Sequence, residues 1–159
     1  MVVRGTKKFL DRVGRPAATD AVSTGRLGDW YANPWFWRPQ VALFVNERSL
    51  LPVLLRLAPA RTVAARLPAA FAAIAARIGI DDEALEGELG HMCDHVLAKT
   101  ASRSVLGVMN EFAFLADHHC AGGRPFDLVE VSLWLAQVPC SPLYKTSTSP
   151  DRQLRALLR

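Results

Sequence analysis

Blocks of apolar and polar positions along the chain predict a mixture of short strands and amphipathic helices. The pattern predicts a strand over residues 1–6, a helix over 7–13 and a loop over 14–28 that is rich in glycine, serine and threonine. In the aromatic stretch 29–38, we expect the nearby prolines to interrupt regular strand pairing.

Two apolar runs, 40–46 and 50–57, flank a three-residue turn and predict a β-hairpin. Their nearly continuous apolar character indicates strands that are covered on both faces, so we expect this hairpin at the centre of the sheet. A further short strand is predicted over 94–99.

Helical periodicity fills most of the remaining chain. The predicted helices cover 60–78, with a bend or break at Pro68, and then 81–92, 102–120, 127–137 and 151–159. We expect a single domain over 1–159, in which residues 139–159 form a loosely packed C-terminal segment. This order of elements predicts an α+β fold: a small mixed or antiparallel sheet with a central hairpin, covered by several helices.

Composition places the chain among globular proteins. Of its 159 residues, 50% are hydrophobic and 21% are charged, which argues against disorder. No apolar run is long enough to span a bilayer, and the N-terminus lacks the apolar core of a signal peptide. Three widely spaced cysteines fit reduced thiols better than a disulfide framework. We therefore expect a cytoplasmic protein that does not contact a membrane.

The formal net charge of +4 is unevenly distributed along the chain. Residues 1–61 carry +6, residues 62–98 carry −4, and residues 99–159 carry +2. The basic excess in the N-terminal third and at the junction 99–103 favours polyanionic partners.

The most informative local sequence joins a predicted strand to a predicted helix at residues 99–110. Lys99 and Arg103 supply positive charge there, and Thr100 or Ser102 can cap the helix. Free backbone N–H groups at a helix start favour anions, so this junction predicts a phosphate site.

Along the same helix, Arg103, Gly107 and Asn110 share one face. Glycine inside a helix costs about 1 kcal/mol relative to alanine, so Gly107 indicates close approach of another backbone or of a ligand. The structural alternative is that a hydroxyl residue only caps the helix, Gly107 packs on a neighbouring helix, and Arg103 and Asn110 hold a loop in place.

The remaining candidate chemistry concerns aromatic residues and histidines. The aromatic residues of 29–38 lie near Arg26 and Arg38, where they would stack on bases if exposed or close one end of the core if buried. The four histidines and three cysteines lack the spacing of a zinc site, so we expect no metal and no cofactor. The sequence lacks a glycine-rich phosphate loop, a nucleophile elbow and an obvious carboxylate pair, which favours binding over hydrolysis.

Four sequence elements follow one another along the chain: Thr6-Lys7-Lys8, Trp30-Tyr31-Ala32-Asn33, Arg38 before a strand that ends in Asn46, and Lys99 to Asn110. In this order they resemble an uncharacterised family of small bacterial proteins, a domain of unknown function that is sometimes associated with plasmid-type open reading frames. The chain departs from the family pattern at Gly5, where the family has cysteine, and at Ser102, where it has asparagine. The resemblance implies a bacterial cytoplasmic protein, associated with mobile elements, and implies no particular reaction.

The resemblance also groups polar residues at strand ends and helix starts, and we predict that they converge on one pocket at one edge of the sheet. These ligand-binding candidates are Lys7, Asn33, Arg38, Asn46, Lys99, Thr100, Arg103, Ser104 and Asn110. The function that we favour is a module for nucleic acid or another phosphate-bearing ligand, in which the cations contact phosphates. The alternatives are a metal-independent nuclease or nucleotidyl-type enzyme on the same cluster, and an antitoxin-like protein that binds a protein partner or a second copy of itself.

Overall fold

The computed structural model describes residues 1–17, 20–121 and 127–159. Within these ranges the chain forms a five-stranded mixed sheet and six α-helices, which confirms the predicted α+β fold. The strands are β1 Val2–Gly5, β2 Trp30–Trp35, β3 Val41–Asn46, β4 Pro52–Arg56 and β5 Val96–Lys99. The helices are α1 Lys7–Val13, α2 Val63–Ile78, α3 Asp82–Gly90, α4 Arg103–His119, α5 Leu128–Ala136 and α6 Pro150–Leu157, with short 3-10 helices at Ala60–Thr62 and Ser141–Leu143.

The strand order β4-β3-β2-β1-β5 places three parallel strands side by side. β1 pairs in parallel with both β2 and β5, and the register sets Gly5 opposite Ala32 on one side and Lys99 on the other. The carboxyl ends of β1, β2 and β5 therefore meet at one border of the sheet, which we call the carboxyl edge. Antiparallel β3 ends at the opposite border, where Asn46 pairs with Trp30.

The expectation that prolines interrupt pairing in the aromatic stretch is wrong, because β2 runs through Pro34 and pairs there with Ala42 of β3. Ala32 accepts a hydrogen bond from Thr6 N, so its polar groups point toward β1, and those of Pro34, two residues later, point the same way. β1 has already ended at that level, so no partner needs the N–H that proline lacks.

The predicted hairpin is correct but its predicted central position is wrong. β3 and β4 pair antiparallel, and β4 is the edge strand while β2 occupies the centre. β4 is nevertheless apolar because α2 and α5 both pack against it. An apolar strand thus indicates coverage by helices and does not fix its place in the strand order.

Helices cover both faces of the sheet. On one face α1 and α2 build a core in which the Trp30 and Phe71 rings meet edge to face, 5.6 Å apart. On the other face α4 and α5 contribute apolar side chains, among them Met109 and Phe112. The structure thereby separates α1 and α4, which both follow parallel strands, onto opposite faces.

The C-terminal segment is packed more closely than the sequence suggested. Leu143 and Leu158 are buried, and Leu154 of α6 is 0% exposed within the core beside α1 and α2. The apolar side of this short amphipathic helix therefore belongs to the core, which accounts for the order of the segment.

Most predicted helix boundaries agree with the structure. Gly79 ends α2 in a left-handed conformation, with φ of 87°, as its position after the apolar run indicates. α2 also runs without a break through Pro68, where a bend or break was predicted. The predicted glycine stop after α4, at 122–123, lies outside the described residues.

Candidate functional site

Two helices begin at the carboxyl edge, one on each face of the sheet. α1 follows β1 and α4 follows β5, and β1 lies between β2 and β5, so that the chain leaves neighbouring strands toward opposite faces. In open sheets such a divergence forms a crevice outside the strand ends, where ligands bind. The backbone architecture alone therefore makes the carboxyl edge the candidate ligand site.

Capping side chains fix both helix starts. Thr6 Oγ1 accepts a hydrogen bond from Phe9 N at 3.3 Å and donates one to Asn33 Oδ1 at 2.7 Å. Ser102 Oγ accepts from Val105 N at 3.3 Å, so Ser102, one of the two predicted candidates, caps α4. The Thr6–Asn33 hydrogen bond also ties the start of α1 to the end of β2.

Exposed cations gather around this edge. We call the following six the basic edge: Lys7, Lys8, Arg12, Arg38, Lys99 and Arg103. Asp11 pairs with Lys7 at 2.9 Å, and this hydrogen bond raises the pKa of Lys7. Arg38, Lys99 and Arg103 have no side-chain hydrogen bond or ion pair within the described part of the chain. Uncompensated positive charge in one place favours an anionic ligand.

The structure brings most of the predicted ligand-binding residues to the carboxyl edge. Those at the ends of its strands or the starts of its helices are Lys7, Asn33, Arg38, Lys99, Thr100, Arg103 and Ser104. Asn110 lies further along α4, exposed, one turn before Ala113 on the same helix face. Its side chain has no hydrogen bond among the described residues, so it is available to a ligand.

Asn46 does not join the other candidates. It lies at the opposite border of the sheet and is 0% exposed. Its amide donates to Leu27 O at 2.9 Å and accepts from Ser49 N and Ser49 Oγ, both at 2.9 Å. These bonds hold the turn between β3 and β4, so the predicted convergence on one pocket does not extend to this residue.

Gly107 is exposed on α4, and a Cβ there would meet no atom within 4 Å among the described residues. The alternative that it packs against a neighbouring helix is therefore wrong for this part of the chain. Gly5 shows the opposite situation, because a Cβ there would lie 2.7 Å from the Phe9 ring and 2.9 Å from Leu10. Glycine at position 5 lets α1 pack directly on β1.

A cavity of about 360 Å³ opens beside the basic edge. Its walls come from the end of β2 and the loop after it, from Lys8 of α1, and from Ala113 and Asp117 of α4. Trp37 Nε1 donates a hydrogen bond to Asp117 Oδ1 at 2.5 Å, which ties this loop to α4. A second cavity of about 180 Å³, lined by Trp37, Arg38, Asp117 and Cys120, adjoins it.

The aromatic stretch divides between the core and the surface. Trp30, Tyr31 and Trp35 are buried, as the packing alternative predicts. Phe36 is 57% exposed, with Lys8 Nζ 5.7 Å and the Arg12 guanidinium carbon 5.6 Å from its ring centroid. Only the surface part of the stretch is therefore available for stacking, and it is bordered by two cations.

Sequence reasoning missed Lys8, Arg12 and Asp117 as members of the site. The signal for the two cations was present, because Lys8 and Arg12 are four residues apart on one helix and share a face. Nothing in the sequence connects Asp117 with Trp37, which lies 80 residues away. Arg26, which we grouped with the aromatic stretch, instead donates to Arg159 O at 3.2 Å, far from this edge.

Other polar clusters have structural explanations. In a cavity of about 420 Å³ beside α3, the buried Glu88 carboxylate accepts from Arg26 N at 2.8 Å and Leu27 N at 3.3 Å. His119 stacks on Trp134 with 4.0 Å between ring centroids, and His91 Nδ1 lies 2.8 Å from Thr24 Oγ1. Among the described residues, no group of three or more histidine, cysteine, aspartate or glutamate side chains could hold a metal ion.

The fold and the site together define an α+β protein with a mixed sheet, whose parallel strands end at an exposed basic edge with an adjoining cavity. The chain belongs to the family described as Domain of unknown function (DUF6933), whose model matches residues 2–153. No curated protein and no solved structure matches it. None of the helices in the described ranges has the length and apolar character needed to cross a membrane.

Proposed function

We propose that the protein binds nucleic acid through its phosphates at the basic edge. The observation that carries the proposal is the position of Arg38, Lys99 and Arg103, which are exposed and have no side-chain partners among the described residues, beside the carboxyl ends of β2 and β5. Adjacent strands are about 4.8 Å apart, so cations at the ends of β5, β1 and β2 follow a line that can meet several phosphates.

Charge separation across the molecule supports this proposal. The acidic α3 lies at the border opposite the basic edge, because Glu88 and His91 contact the loop that leads into β2. At that border Arg26 and Arg159 stand among the carboxylates of α3, whereas exposed cations predominate at the basic edge. Such an arrangement orients the encounter and raises the association rate, in a manner that salt weakens.

The alternatives have weaker support in the structure. A hydrolytic role needs a general base, and the carboxylate that lines the cavity, Asp117, already accepts a hydrogen bond from Trp37 Nε1 at its Oδ1. A cytoplasmic location agrees with the free thiols of the three cysteines and with access to nucleic acid.

The test is a fluorescence anisotropy titration of labelled single- and double-stranded DNA and RNA across a salt series. Removing the charges of Lys99 and Arg103 in the double variant K99Q/R103Q should reduce the log–log salt slope by about 1.4 for a single strand and about 1.8 for a duplex. Gel electrophoresis of the same mixtures shows whether the labelled strand is cleaved, which the nuclease alternative predicts.

The matched control removes two cations outside the basic edge, in the variant R48Q/R152Q, and should change the slope by less than half as much. Arg48 lies in the turn after β3 and Arg152 on α6, and both are exposed. Failure of the wild-type protein to bind any of these nucleic acids at low salt, or an equal effect of both double variants, would overturn the proposal.

A further inference from the structure

We propose that the 360 Å³ cavity beside the basic edge takes an unpaired nucleobase. The inference rests on the proposed function and deepens it, because it specifies which part of the nucleic acid the protein recognises besides the phosphates. The basic edge by itself recognises phosphates, which single strands and duplexes share. A cavity for a base would make the protein select bases that are free of a partner strand.

The size and position of the cavity suit a base next to a bound phosphate. Its volume lies within the range of about 300–1,000 Å³ that is typical of small-molecule sites. Lys8 belongs both to the cavity wall and to the basic edge, so a phosphate at Lys8 places the attached nucleoside at the cavity mouth.

Phe36 provides a stacking surface at that mouth. Its ring is 57% exposed, while Lys8 and Arg12 approach it within 5.7 Å and 5.6 Å of the centroid. Single-strand-binding proteins combine exposed aromatic rings with cations, the base stacking on the ring and the phosphate meeting the cations. At Phe36 the two cations lie over the ring, so a stacking base would displace them toward its phosphate.

Two residues that line the cavity also carry polar groups without partners among the described residues. The Nδ2 amino group of Asn33 is unbonded among the described residues, because only its Oδ1 is engaged, by Thr6. Trp35 is 6% exposed, and its Nε1 is buried without a hydrogen-bond partner in the described ranges. A buried unpaired donor is unfavourable and rare, and it points to an acceptor that arrives with a ligand.

These groups match the edge of a nucleobase. Every base offers carbonyl or ring-nitrogen acceptors next to N–H donors. Asn33 and Trp35 would donate to such acceptors, and Asp117 would accept from an N–H of the base. The half-buried Trp37 ring lies 5.1 Å from the Trp35 ring and lines the same cavity.

The experiment compares three labelled ligands of equal length and charge per strand: a single-stranded oligonucleotide, the corresponding duplex, and an abasic single strand. For the wild-type protein, removal of the bases should weaken binding about tenfold, since stacking one base on an aromatic ring is worth about 1–3 kcal/mol. The salt slope of the two single strands should be equal, because their phosphates are the same.

The variant F36L keeps an apolar side chain and removes the ring. We expect it to weaken binding of the normal single strand about tenfold, to leave the abasic strand unaffected, and to leave the salt slope unchanged. The matched control is F114L, because Phe114 is 61% exposed on α4 and does not line the cavity. The conservative variant F36Y should retain binding.

A second readout reports on the cavity itself. The indole N–H resonance of Trp35, assigned by its loss in W35F, should shift downfield when the single strand binds and should not shift with the abasic strand. The same shift on titration with free nucleoside monophosphates, without a preference of the protein for single strands, would support the base site and identify free nucleotides as its ligands.

The two proposals fail in different ways. Absence of nucleic-acid binding at low salt, with no response of Trp35 to nucleotides, would overturn both. Salt-dependent binding that is equal for the normal strand, the duplex and the abasic strand, and that F36L leaves unchanged, would overturn the base site alone. The binding of phosphates at the basic edge would then stand without it.

Discussion

The variant N46A tests whether Asn46 stabilises the fold or binds the ligand. The sequence pattern groups Asn46 with Asn110 as a ligand-binding candidate, whereas the structure places the two residues far apart in role: one is buried and the other exposed. In the variant N46A, Leu27 O loses a donor, and Ser49 N and Arg48 N lose an acceptor. Arg48 is exposed and its N–H can turn to water, whereas Leu27 and Ser49 are 0% exposed. Two buried backbone groups are therefore left unpaired, and the buried Ser49 hydroxyl also loses its acceptor.

Each buried unpaired backbone group costs about 1–3 kcal/mol, so N46A should lower the free energy of unfolding by about 2–6 kcal/mol. The turn also contains Leu50 at φ 57°, a left-handed conformation that leucine adopts only under strain, and the Asn46 hydrogen bonds help to hold it. Against a typical stability of about 5–15 kcal/mol for a domain, this loss is a large fraction of the total.

The assay combines urea unfolding with oligonucleotide anisotropy. N46A should shift the urea midpoint strongly and keep the affinity of its folded fraction, measured at low temperature. N110A should do the reverse, since Asn110 is exposed and unbonded in the described structure: its stability should stay within about 0.5 kcal/mol and its affinity should fall. The reasoning is refuted if N46A keeps the wild-type midpoint while it loses affinity.

Two further predictions concern a thiol and a glycine. Burial raises the pKa of Cys140 to about 12 from 9.0, so above pH 9 the unfolded thiol loses its proton first, and the free energy of unfolding should fall by about 1.4 kcal/mol at pH 10. Urea unfolding at pH 8 and pH 10 measures this fall in the free energy of unfolding. The fall should be smaller in C140A than in the wild type. In C93A, which lacks an exposed thiol, it should equal that of the wild type. G107A should stabilise the fold by about 1 kcal/mol, because a Cβ there meets nothing within 4 Å, and should weaken oligonucleotide binding. Unchanged affinity in G107A would place the ligand away from this face of α4.

Local features of the chain could be predicted where the physical signal lies in neighbouring residues. The bounds of α1 and the starts of α3 and α5, predicted at residues 81 and 127, follow from short-range patterns, and the structure agrees with them to within one residue. The end of α2 at Gly79 is of the same kind. In all these cases the deciding interaction joins residues that are at most four positions apart.

Predictions failed where the deciding contact is distant in sequence. Pro34 is accommodated because β1 ends one level earlier, and nothing near Pro34 in the chain carries that information. The edge strand β4 is apolar because helices cover it, among them α5, which lies more than 70 residues away along the chain. Asn46 resembled the other asparagines at strand ends, but antiparallel β3 carries it to the opposite border of the sheet.

The distinction between cations that hold the fold and cations that are open to a ligand also requires the structure. Arg4 pairs with Asp29 at 2.5 Å and donates to Lys99 O at 3.2 Å, so it fastens the end of β5. Arg155 similarly donates to Ile78 O at 2.9 Å. In sequence these residues look no different from Arg103, whose side chain is exposed and unpaired in the described structure.

The distinction between bonded and unpaired cations determines which residues of the basic edge can contribute to binding. A cation that already donates to a carbonyl or a carboxylate would lose those bonds on meeting a phosphate, so its net contribution to binding is small. Within the described structure the side chains of Lys99 and Arg103 have no such bonds to lose, and Arg4 holds the strand end from which they extend. Loss of Arg4 should therefore disturb the site through the position of β5, whereas loss of Arg103 removes a phosphate contact directly.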